Sequence, residues 1–100
     1  MTRNPDRRPT HPGAILREDI LPAVGEPKAK IAALLGISRQ HLYDILREKK
    51  PVTPATAVKL AAMFGGSAET WVRMQGAYDT FEAMQTVDVS AIPALHAKAA

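Results

Sequence analysis

The sequence predicts an all-α domain of five helices, and two observations carry most of that prediction. Residues 28–45, KAKIAALLGISRQHLYDI, set a small Ala32 four residues before Gly36 and place apolar side chains at Ile31, Leu35, Ile37, Leu42 and Ile45. This spacing fits two helices that cross steeply through a turn of about three or four residues, a helix-turn-helix. Prolines, glycines and hydroxyl residues divide the rest of the 100 residues into further helical stretches, and no alternating run is long enough for a strand.

Taken in order, residues 1–10 are polar, basic and proline-containing, and read as a flexible arm bearing Arg3, Arg7 and Arg8. Such an arm is a loose leader, a minor-groove contact or a protein contact. Pro12 suits the first turn of a helix to about Leu21, with Ile15, Leu16 and Ile20 as its apolar side and Pro22 as its stop. Pro27 opens the second helix. There Ala32 is the small residue at the crossing, and Gly36 supplies the left-handed backbone of the turn. Ser38 caps the third helix, which Leu42, Ile45 and Leu46 hold by one face. Arg47 and Glu48 stand where a terminating glycine would be useful, so this helix is expected to run on or fray. Thr53 and Pro54 read as N-cap and first turn of a fourth helix containing Val58, Leu60, Ala61 and Phe64, ended by Gly65 and Gly66. Ser67 caps a fifth helix of about nineteen residues. The tail, 86–100, contains Pro93 and has no helical periodicity; it reads as flexible, or as a segment that orders against a partner. The folded domain therefore spans 11–85.

Stepping about 100° per residue puts Gln40, Tyr43, Asp44 and Arg47 opposite the apolar stripe of the third helix, with Arg39 and His41 on its flanks. A polar outer face belongs to any amphipathic helix. Here it coincides with charge. The chain is +3 overall, yet residues 27–50 hold Lys28, Lys30, Arg39, Arg47, Lys49 and Lys50 against Asp44 and Glu48, while 11–26 and 67–85 are each net acidic by two. A basic helix-turn-helix between acidic flanks suits a phosphate-facing surface. The DNA-contacting set expected from this pattern is Lys28, Ser38, Arg39, Gln40, His41, Tyr43, Asp44, Arg47, Lys49 and Lys50.

On the fifth helix Trp71, Met74, Tyr78, Phe81 and Met84 recur at steps of three and four. Such a stripe is normally core. It is also longer than a compact four-helix unit needs, so it is expected to serve a two-fold dimer as well.

Other chemistry finds little support. With no cysteine, disulfides and thiolate metal sites are excluded, and no apolar run approaches the ~20 residues of a membrane span. The start lacks the apolar core of a signal peptide, so the chain reads as soluble and cytoplasmic. His11, His41 and His96 have no metal-ligand spacing, and Ser38, Ser67 and Ser90 belong to no nucleophile-base-acid arrangement. No metal, cofactor or catalysis is expected. A small basic ribonuclease and a helical protein-binding adaptor are the rival readings; the first needs a sheet, and the second binds no DNA.

The segments HPGAILREDILPAVG, IAALLGISRQHLYDIL, KKPVTPATAVKLAAMFG and SAETWVRMQGAYD together resemble the HigA (VapI-like) antitoxin family, within the Xre or phage-repressor-like group of helix-turn-helix regulators. The resemblance runs from about His11 to Met84 and is most specific at HPG, at PVTP and at Trp71 with Gln75 to Asp79. It implies an antitoxin that binds a HigB toxin, an mRNA endonuclease of the RelE-like class, and represses its own operon as a homodimer on a near-palindromic operator. Three features depart from the pattern. Pro27 and Lys28 replace the Ser-Gln common at the start of the second helix, so a cation takes the phosphate-binding place. Arg47 and Glu48 replace Asn-Gly. Asp44 would repel phosphate, so it either accepts from a cytosine amino group or pairs with Arg47 one turn on, the internal pair being favoured.

Overall fold

The computed structural model describes residues 8–96, which form five helices and no strand. They are α1 (residues 12–24), α2 (Lys28–Leu35), α3 (Arg39–Leu46), α4 (Pro54–Phe64) and α5 (Ala68–Thr86). Residues 87–96 carry neither helix nor strand. Arg3 and Arg7 of the arm lie outside the described residues. Arg8 lies on α5, paired with Glu82, its guanidinium 6.0 Å from the Tyr78 ring centre and 5.9 Å from that of Phe81.

Pro22 does not stop α1. The helix passes through Pro12–Ile15, a π turn at Leu16–Ile20 and Leu21–Val24, and ends at Gly25 with φ 75°. In the π turn the Leu21 N–H bonds the Leu16 carbonyl five residues back. A five-residue repeat brings Leu16 and Leu21 onto one side, and both are buried, whereas an α-helix would set them about 140° apart. Pro22 has no N–H to contribute, and it falls where the ladder is already shifted.

The turn between α2 and α3 follows its sequence closely. Gly36 takes φ 73°, its N–H bonds the Ala33 carbonyl and the Ile37 N–H bonds the Ala32 carbonyl, each at 3.1 Å, a complete Schellman ending. Ser38 Oγ then accepts from the His41 N–H at 2.9 Å.

At eight residues, α3 is shorter than the ~12–15 an isolated helix needs, so docking must hold it. Leu42, Ile45 and Leu46 supply the docking, packed with Leu16, Ile31, Ala32, Leu35, Val52, Ala57, Leu60 and Trp71 in one core. Each fully buried aliphatic side chain contributes roughly 1.5–3 kcal/mol. On α4, Thr56, Ala57 and Leu60 face this core, while Val58 is exposed.

α1 meets the far end of α3 backbone to backbone. A Cβ built at Gly13 would overlap the Ile45 carbonyl oxygen, so this position excludes every side chain. The turn that brings Gly13 there is capped by His11, whose Nδ1 accepts from the Gly13 N–H at 2.9 Å. The buried His11 ring meets Tyr78 edge-on at 4.8 Å.

Gly13→Ala forces the helices apart, and the denaturation midpoint should fall by the equivalent of about 1–3 kcal/mol, as for other overpacked cores. Burial pushes the His11 imidazole below its ordinary 6.5. Its neutral form is therefore favoured on folding, so the unfolded chain binds more protons. The resulting stability is complete above 6.5 and falls as pH drops through 6.5 towards the folded value. The melting temperature should decline over that window in the native protein, and the decline should shrink in His11→Asn.

Candidate nucleic-acid interface

With Leu42, Ile45 and Leu46 turned inward, α3 presents Arg39, Gln40 and Arg47 as exposed side chains and His41, Tyr43 and Asp44 as half-buried ones. Lys28 opens α2 on the solvent side, and Lys49 and Lys50 are exposed just past α3. Ser38 is exposed too, with its oxygen committed to the cap.

Asp44 does not pair with Arg47. Its Oδ1 accepts from Gln40 Nε2 at 2.8 Å, and its Oδ2 lies 3.6 Å from Lys50 Nζ. Arg47 instead lies over the Tyr43 ring, 5.5 Å from its centre. The reason is geometric: Gln40, one turn back, reaches the carboxylate directly, while the aromatic face beside Arg47 is a competing partner for a weakly hydrated guanidinium. Gln40 is left with a free carbonyl oxygen and one unused N–H, the pair of groups that matches the N6 and N7 edge of adenine. Asp44 thus orients a candidate base reader.

Charge is unevenly available. Lys30 is paired with Glu26 at 3.2 Å and Glu48 with Arg17 at 3.3 Å. Among the described residues Lys28, Arg39, Arg47 and Lys49 form no ion pair, so their charge is open to an anionic partner.

The end of α3 neither extends nor frays. Glu48 adopts φ 64°, its N–H bonds the Ile45 carbonyl at 3.0 Å and the Lys49 N–H bonds the Asp44 carbonyl at 2.8 Å. This is the same Schellman ending as at Gly36, made here by a residue for which the left-handed conformation costs about 1–2 kcal/mol. Arg17 offsets that cost: it pairs with the Glu48 carboxylate and donates to the Leu46 carbonyl, one of the acceptors a helix end leaves open.

No group of three or more histidine, aspartate or glutamate side chains gathers to hold a metal among the described residues. No helix there is long and apolar enough to cross a membrane.

The helix-turn-helix family profile matches residues 27–71. The chain is 42% identical over 69 residues to virulence-associated protein I of Dichelobacter nodosus, and spans 64% of that relative's length. It superposes on antitoxin GraA in complex with its operator with a TM-score of 0.79 and 31% identity, covering all of both chains. Against Pseudomonas aeruginosa antitoxin HigA with the higBA promoter the TM-score is 0.74 at 33% identity, covering 78% of this chain and 85% of that one. The chain belongs to the HigA antitoxin family.

Within that frame the motifs marking the family have structural work that sequence reasoning left unassigned. Of the residues expected at a dimer contact, Trp71 is buried in the protomer's own core and Met74 packs against it. Tyr78 and Phe81 are half covered by His11 and Arg8, and only Met84 is broadly exposed, at 76%. The part of the stripe left in solvent is therefore the distal end of α5, with exposed Val87 and Val89 beyond it. Arg17 and Gln75 were missed. Arg17 is the one cation of α1, and Gln75 is the one polar residue on the buried side of α5, between Trp71 and Tyr78. Each was a detectable irregularity.

Replacing Gln40 should separate base reading from phosphate binding. Gln40→Ala is expected to lower the preference for operator over scrambled duplex by about 1–3 kcal/mol while leaving non-specific affinity in place. Competition binding at fixed salt measures this, and an unchanged ratio would remove Gln40 from base readout.

Proposed function

We propose that this protein is the antitoxin of a toxin-antitoxin pair, which neutralises a HigB-like, RelE-class mRNA endonuclease by binding it and represses its own operon as a DNA-bound dimer. The observation carrying the DNA half is the outward face of α3. Arg39, the Asp44-oriented Gln40 and the Tyr43-stacked Arg47 stand there between open cations at Lys28 and Lys49. A solved relative similar along its whole length is in complex with its operator, which supports the same use of this surface. Ser38, His41, Tyr43 and Lys50 complete the proposed contact set. Base contacts from so short a helix are few, so a site is selected by two copies related by a two-fold axis. The distal face of α5, with Phe81 and Met84, provides their contact. The protein works in the cytoplasm by binding, with no catalytic step and no cofactor.

A two-fold arrangement fixes the operator. Its half-sites should be near-palindromic, with centres about 10–10.5 base pairs or a multiple apart. Phe81→Glu and Met84→Glu should yield folded monomers that lose most operator affinity, because a carboxylate in an apolar contact is costly and an exposed one is not. Inserting five base pairs between the half-sites should weaken the native protein in the same way. Equal binding of native and monomeric forms, with tolerance of the insertion, would contradict the dimeric mechanism. Co-purification with the product of an adjacent small basic reading frame, and suppression of its ribonuclease activity, tests the toxin half.

A further inference from the structure

Gln75 is nearly fully buried in an otherwise apolar part of α5, and both ends of its amide are used. Its Oε1 accepts from the Val52 N–H at 2.8 Å, and its Nε2 donates to Asp79 Oδ1 at 2.9 Å. Val52 is buried as well. It follows α3 closely: the left-handed Glu48 ends the helix, Lys49, Lys50 and Pro51 follow, and Val52 is the next residue. The segment bearing the two lysines is thus fixed at one end by the Asp44 carbonyl, which takes the N–H groups of Lys49 and Lys50 at 2.8 and 3.2 Å. Its other end is fixed by Gln75. Pro51 restricts the backbone between.

We propose that Gln75 is a positioning residue for DNA binding, acting from α5 through the Val52 N–H to hold Lys49 and Lys50 at the phosphate backbone. The proposal rests on the DNA-binding reading above and adds a route by which the helix carrying the dimer contact sets the affinity of the other surface. A buried glutamine explains itself on these terms. Among the described residues it is the one side chain of α5 hydrogen-bonded to the segment after α3, and a hydrophobic residue there would leave the buried Val52 N–H without an acceptor. Asp79, exposed on α5, keeps the amide turned so that its oxygen faces Val52.

The test uses the full chain and a duplex containing its operator. Gln75→Met should keep the native helicity and dimer mass, weaken operator binding about tenfold, and flatten the dependence of log affinity on log salt by about one unit, the loss of roughly one phosphate contact. In a Lys49→Ala, Lys50→Ala background the same change should cost less than twofold, because the groups it positions are gone. Gln75→Glu combined with Asp79→Asn restores an acceptor for Val52 and a donor to hold it, and should recover native affinity. Asp79→Ala, a surface change, should weaken binding about threefold without disturbing the core. Amide exchange at Val52 in the free protein should quicken in Gln75→Met. A full tenfold loss in the lysine-free background, or native affinity with a freely exchanging Val52 amide, overturns the proposal. If removing the two lysines leaves the salt slope unchanged, the phosphate reading fails and takes the proposal with it, while Val52 exchange still reports whether Gln75 holds the segment.

Discussion

A helix proposed to read DNA must be gripped without being covered, and the contact on which this protein's grip depends is the approach of Gly13 to the carbonyl of Ile45. Apolar burial of Leu42, Ile45 and Leu46 fixes which face of α3 turns inward but is non-directional. The helix could still slide or tilt on that cushion. Backbone contact at Gly13 allows no such freedom, and hydrogen bonds add to it: Ser38 at the start of α3, Arg17 on the Leu46 carbonyl and Gln75 on Val52. Every one of these groups acts on an end of α3 or on the segment beyond it. The outer face is left to its own chemistry.

That face is organised before any partner arrives. Asp44 contributes a negative charge to a surface proposed to meet phosphates, which would be a liability if it were free. It is 14% exposed and engaged by Gln40 and Lys50, so its charge is largely spent within the protein. The stacking of Arg47 on Tyr43 likewise restricts a long side chain. Immobilising such a side chain on binding costs about 0.5–1.5 kcal/mol, so side chains already ordered lower the entropic cost of association.

Local rules were legible in the sequence where local chemistry decides. The glycine turn at Gly36, the caps at Ser38, Thr53 and Ser67, and the length of α5 all follow from residues within a few positions. The misreadings share a different cause. Pro22 looked like a stop because proline breaks an α-helix, but a π turn that lines up Leu16 with Leu21 makes room for it. Glu48 looked unable to end a helix, and does so with the help of Arg17, 31 residues away in the sequence. Asp44 was assigned to Arg47 because one-turn spacing permits it, whereas the same spacing towards Gln40 was taken. The apolar stripe of α5 was read as core that could also offer Tyr78, Phe81 and Met84 to a second copy. In the structure it divides by depth, with Trp71 in the core, Tyr78 against His11, and Met84 in solvent. Periodicity identifies a face and does not tell how much of it a neighbour covers.

The central claim is that α3 and the segment after it form the DNA-reading surface, held in place by α1 and α5 from behind. The most direct measurement is amide chemical-shift mapping of the full chain during titration with its operator duplex, at a salt concentration where binding is specific. The account predicts the largest changes at residues 38–50 and at Lys28, with small changes along the buried face of α5. Strongest perturbation along α1 or α5, with residues 38–50 unmoved, would contradict it.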